Sequence, residues 1–129
     1  MNNMEAENTL PLLLWGLQEM QTVTLCVTGP SMRPTIFSGD RVVLGNIQSQ
    51  LVTGEIYFYL GRDNQPTIHR LHEVRQVSGK TEYVFKGDGA LTPDPPVNRE
   101  NIRAQVLAIH TSKWKRVLHF LRRHKPEDG

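Results

Sequence analysis

Six stretches of this chain are rich in β-branched and aromatic residues, and each is cut short by residues that bend a backbone. They lie near 22–27, 41–45, 55–60, 67–77, 81–87 and 102–110. Branched side chains are stiff at χ1 and fit a pleated, half-buried surface, so the pattern predicts strands. The cuts fall at Ser38-Gly39-Asp40, Gly54, Gly61 to Pro66, Ser78-Gly79 and Gly87 to Pro96. Glycine supplies backbone freedom there, proline removes a donor, and Ser and Asp bond to their own main chain. Val74 to Phe85, broken at Ser78-Gly79, predicts a hairpin. The body of the chain is therefore expected to be mainly β.

Helical spacing occurs only at the two ends. Leu10, Leu13, Leu14 and Leu17 recur on one face after Thr9 and Pro11, predicting a short helix from about Thr9 to Met20, with residues 1–8 polar and frayed. Trp114, Val117, Leu118 and Leu121 stand at i, i+3, i+4 and i+7, predicting a second short helix. The chain then divides into 1–21 (polar segment and helix), 22–112 (β domain) and 113–129 (basic amphipathic helix and tail).

The formal net charge of +2 is unevenly spread. Residues 113–125 hold six Lys and Arg and no acid, whereas residues 1–112 hold nine bases against eleven acids. A nucleic-acid-binding body is not expected from a net-acidic one. The basic stripe either packs on the body or lies peripherally on an anionic membrane surface through residues 113–125. Leu10 to Leu17 is too short to span a bilayer, which takes roughly 20 apolar residues. It also lacks the positive lead of a secretory signal. A cytoplasmic location, with a peripheral membrane contact as its variant, is the expectation. The lone Cys26 excludes an intrachain disulfide framework, and its apolar setting from Val23 to Val27 predicts a small buried hydrophobe. No motif points to a metal, nucleotide or organic cofactor.

The stretch Thr28-Gly29-Pro30-Ser31-Met32-Arg33-Pro34-Thr35-Ile36-Phe37-Ser38-Gly39-Asp40 is the most informative. A strand runs into Gly29-Pro30, then a serine, then Met32 and Pro34, and a strand resumes at Arg41. Gly29 can take positive φ, and Pro34 cannot join a sheet ladder. Such a turn can hold Ser31 exposed, with its backbone N–H aimed where an oxyanion forms. Serine in a Gly/Pro turn is more often only a turn residue, so this stretch alone does not decide.

Gly29 to Ile36, followed by Ser38-Gly39-Asp40, resembles the nucleophile motif of signal peptidase I and its relatives, the SOS-repressor autoproteases. Two further stretches match in order. Ile68-His69-Arg70 resembles the segment that supplies the base in the endoplasmic-reticulum and archaeal type. Phe85-Lys86-Gly87-Asp88-Gly89, followed by Asp94, resembles the last box of that type. The resemblance spans about 22–110 and implies a single-domain signal-peptidase-like (β-clip) fold of antiparallel strands. It also implies a serine endopeptidase with Ser31 as nucleophile.

Most bacterial members pair that serine with lysine, and the endoplasmic-reticulum type pairs it with histidine. Here the matching position is His69, thirty-eight residues after Ser31, and no lysine adjoins it. A serine hydroxyl is a weak nucleophile until a neighbour takes its proton, and imidazole titrates close to neutral pH. His69 is thus expected to act as general base; the alternative is a plain strand histidine. His72, three residues on, is expected on the opposite face. For the acid that orients His69 the resemblance favours Asp94, which is otherwise a turn-former among Pro93, Pro95 and Pro96. Asp88 is expected to brace the site, and Pro30 and Met32 to shape the turn. Asp40 is expected to be a structural turn residue, and Arg70 to pair with an acid or shape the site.

The chain departs from the resemblance in three ways. Gly29 stands where many members carry a serine that helps hold the oxyanion, so backbone N–H groups are expected to do so alone. Neither a membrane anchor nor a helix-turn-helix segment is seen. Without an anchor the expected substrate is a leader or precursor peptide, and the resemblance implies small residues at its cleavage site. The rival readings are a non-catalytic peptide-binding module on the same fold and a membrane-surface-associated signal peptidase lacking its anchor. The sequence does not reveal the oligomeric state.

Overall fold

The computed structural model describes residues 3–47 and 50–111. The predicted C-terminal helix over 113–129 lies outside the described residues. Helix α1 spans Asn3–Met20, and six strands follow: β1 Thr22–Cys26, β2 Arg41–Gly45, β3 Ile56–Leu60, β4 Pro66–Val77, β5 Lys80–Lys86 and β6 Ile102–His110. Every predicted strand is present within a residue or so of its expected bounds. They form one antiparallel sheet in the order β1-β2-β6-β3-β4-β5. The β4–β5 hairpin turns at Ser78 (φ 52°) and Gly79 (φ 79°). Two positive-φ central residues match the twist of the flanking strands.

Helix α1 begins six residues earlier than expected, and Pro11 lies inside it rather than in the first turn. Met4-Glu5-Ala6-Glu7 is a run of strong helix formers. It extends the helix backwards even though Pro11 donates no backbone bond. The helix seats Leu13 and Leu17 in a core with Met32, Ile36, Val42, Leu44, Phe58 and Ala104. Opposite, Tyr57, Tyr59, Leu71, Phe85, Val97 and Ile102 form a second cluster. Strand β3 sends Ile56, Phe58 and Leu60 into the first and Tyr57 and Tyr59 into the second, which is why all five are buried. No helix among the described residues is long and apolar enough to cross a membrane.

Strand β1 alternates exposed and half-buried residues, with Val23 and Leu25 turned toward the core. Cys26 therefore faces outward and is exposed, contrary to the expectation of a buried thiol. Period two decides this rather than average hydrophobicity.

Candidate active site

The chain leaves β1 and turns sharply before β2. Gly29 adopts φ +95°, and a Cβ there would meet nothing within 4 Å, so backbone conformation rather than space calls for glycine. The turn closes on itself through Arg33 N–H to the Pro30 carbonyl at 3.1 Å and Ile36 N–H to the Met32 carbonyl at 2.9 Å. Met32 and Ile36 are buried and pin the turn to the core, leaving Ser31 exposed. At its end the buried Asp40 accepts the Phe37 N–H at 2.7 Å and the Thr111 hydroxyl at 2.5 Å, a structural role as expected.

Ser31 meets residues from two distant elements. His69 on β4 places Nε2 3.0 Å from Ser31 Oγ. Its Nδ1 lies 2.5 Å from Asp94 Oδ2. Asp94 is held by its own N–H to the Phe85 carbonyl at 2.8 Å. Val97 bonds in both directions with Tyr83, so residues 94–97 track the outer edge of β5. The structure thus joins Ser31, His69 and Asp94 into one chain of contacts. Asp88 stands apart from His69 and receives Arg70 in two bonds, Nε at 2.9 Å and Nη2 at 2.7 Å, with the Thr35 hydroxyl at 2.5 Å. Arg70 also reaches the Gly54 carbonyl, so its pairing with an acid is realised. His72 is exposed and lines a different hollow with Arg70 and Lys86.

The segment Phe85 to Gly89 presses its backbone on the serine turn. A Cβ on Gly87 would stand 2.4 Å from the Ser31 carbonyl oxygen and 3.1 Å from His69 Nε2. One on Gly89 would stand 2.9 Å from the Pro30 carbonyl oxygen. Gly89 N–H donates to the Ser31 carbonyl at 2.9 Å, and Asp88 N–H to Met32 Sδ at 3.4 Å. Both glycines are therefore needed for close approach, a role the sequence did not distinguish from turn-forming.

Tyr59 was also missed. Its hydroxyl donates to Asp94 Oδ2, the same oxygen that contacts His69, and its ring stacks on Phe85 with centroids 4.2 Å apart. Burial and the adjacent Asp94 carboxylate push the phenol far above its ordinary pKa, so the hydroxyl remains a donor. Burial pushes the Asp94 carboxyl up, but the bonds from His69 and Tyr59 outweigh it and hold the group below its ordinary value. Asp88 is held low mainly by its bonds from Arg70, against the opposing effect of burial. Both acids are thus kept as carboxylates. Among the described residues no cluster of His, Cys, Asp and Glu is placed to hold a metal ion.

Two strand edges face each other beside this group. Among the described residues, strand β1 pairs only with β2, and residues 66–69 of β4 pair only with β3, since pairing with β5 starts at Arg70. Between them lies a hollow of about 120 Å³ lined by Leu25 to Thr28, Ser31, Phe58 and residues 65–69. A second hollow, of about 490 Å³, opens on the Tyr59 face of β3 and β4 and also touches His69.

Compared with known proteins, the chain matches the family described as Peptidase S24-like over residues 3–83. The match takes in Ser31 and His69 and ends before Asp88 and Asp94. No curated protein matches the chain.

Proposed function

The chain belongs to the Peptidase S24-like family, and from that membership we propose that it is a serine endopeptidase cutting a leader or precursor peptide. The observation that carries this reading is the contact of His69 Nε2 with Ser31 Oγ at 3.0 Å, with Asp94 on the other ring nitrogen. In the proposed reaction His69 takes the Ser31 proton as the oxygen attacks a peptide carbonyl carbon. Asp94 keeps Nδ1 protonated and Nε2 free to accept, and it stabilises the imidazolium that forms. His69 then gives the proton to the leaving amine, and water releases the acyl group from Ser31 by the reverse use of the same base. Gly29 carries no hydroxyl, so the oxyanion is held by main-chain N–H, that of Ser31 first. Among the described residues no hydrogen bond occupies that N–H.

The substrate enters as an extended strand between β1 and residues 66–69 of β4, whose facing edges offer unpaired main-chain groups. The narrow hollow beside Ser31 suits small side chains near the scissile bond. Incubating the wild type and Ser31→Ala with a proteome-derived peptide library, read by mass spectrometry, tests this. New peptide ends are expected from the wild type alone. The same ends from both proteins contradict it.

A further inference from the structure

A strand laid along β4 sends alternate side chains to opposite faces of the sheet. The two hollows lie on those opposite faces. The one of about 120 Å³ includes Phe58 and Ile68, which belong to the α1 side of the sheet. The one of about 490 Å³ includes Tyr59 and Thr67, with Tyr59 in the opposite cluster. Gln65, Thr67 and His69 border both, so they form the ridge between them. A single extended peptide at this edge therefore addresses both hollows, with positions of one parity in each.

The smaller is bordered by Leu25, Val27, Phe58 and Ile68 together with the polar Thr28, Ser31 and His69. The larger has an apolar wall of Tyr59, Leu60, Pro95, Pro96 and Val97 and carries Arg62, Gln65, Asn98 and Asn101 around its rim. Asp94 also borders it, but that carboxylate is committed to His69 and Tyr59. Arg62 is exposed on the 3-10 turn Arg62–Asn64, and among the described residues no hydrogen bond or ion pair engages its side chain. Among the described residues it is the one Lys or Arg that borders this hollow. A guanidinium beside side-chain amides suits a carboxylate, which accepts two of its donors at once.

We propose that the hollow bordered by Arg62, Gln65, Asn98 and Asn101 is a second substrate pocket, taking an acidic side chain of the bound peptide. The acid sits at positions of opposite parity to the small residues facing Phe58. The proposal rests on the strand-addition reading above, and it assigns the site a second specificity beyond small residues.

The test separates binding from cleavage. A displayed library of random peptides is selected on the Ser31→Ala chain and on the Ser31→Ala, Arg62→Ala double variant. Asp and Glu enriched at one parity, with small residues at the other, is the expected pattern on Ser31→Ala. In the double variant the acidic preference disappears, the small-residue preference stays, and affinity for selected acidic peptides falls about tenfold. Selection without an acidic preference overturns the pocket, as does one that persists after Arg62 is lost. Exposing the selected peptides to the wild-type enzyme reports on the proposed activity independently. Uncut peptides with the parity pattern intact count against the peptidase and in favour of the pocket.

Discussion

At the scale of single residues, the site turns on one carboxylate oxygen. Asp94 Oδ2 meets both the His69 ring and the Tyr59 hydroxyl, and its environment keeps it ionised. Asp94→Asn keeps the shape but favours the wrong tautomer of His69, so kcat is expected to fall roughly 10⁴-fold. Tyr59→Phe removes one hydrogen bond and leaves the stack on Phe85 in place. Its expected effect is smaller, about tenfold in kcat, the typical worth of one hydrogen bond to a charged group. It also carries a distinct signature. With one donor lost, the Asp94 carboxyl rises toward its ordinary value, a change read by NMR titration of that carboxyl. A tyrosine that does not bond Asp94 would lower activity without moving that titration. Ser31 and His69 were legible in sequence because short motifs surround them. Tyr59 was not, because β3 is apolar throughout and the partner of its hydroxyl lies thirty-five residues downstream.

At the scale of elements, the site is a junction of three backbones: the serine turn, β4, and the segment that leaves β5. Gly87 sits where they touch. Gly87→Ala forces its Cβ against the Ser31 carbonyl oxygen and the His69 ring. It is expected to lower activity by at least a hundredfold and stability by about 1–3 kcal/mol, the usual range for overpacking. Gly29→Ala has open space but an unfavourable φ, so its stability cost is about 1–2 kcal/mol. Urea unfolding and steady-state kinetics on the two variants distinguish crowding from backbone strain. The strands themselves were readable because period two and turn residues agree, most plainly at Ser78-Gly79. At Cys26 the surrounding apolar run predicts burial, and period two along β1 turns the side chain outward instead. Helix α1 starts ahead of Thr9 because the helix formers Met4 to Glu7 carry it back past Pro11.

At the scale of the whole molecule, one sheet buried on both faces leaves two edges open beside the reactive group. Acid should weaken this assembly in a defined window. Asp88 and Asp94 both titrate below their ordinary values in the folded protein. The unfolded chain therefore binds more protons than the native one below about pH 4, and stability falls as pH drops through that region. Above it their contribution is complete. Asp88→Asn removes one of these groups together with its Arg70 pairing, so the urea midpoint should be lower at neutral pH and its fall on acidification shallower. The arrangement of edges was not visible in sequence, because it depends on β5 ending at Lys86 while β4 continues back to Pro66.

The central claim is that Ser31 is a nucleophile activated by His69. It is tested most directly by the rate at which a serine-directed fluorophosphonate labels the intact chain, with the adduct mapped by mass spectrometry. The account predicts one adduct, on Ser31, absent from Ser31→Ala and forming at least about a hundredfold more slowly in His69→Ala. Labelling at an equal rate in His69→Ala, or a wild-type chain that takes no label at Ser31, would contradict it.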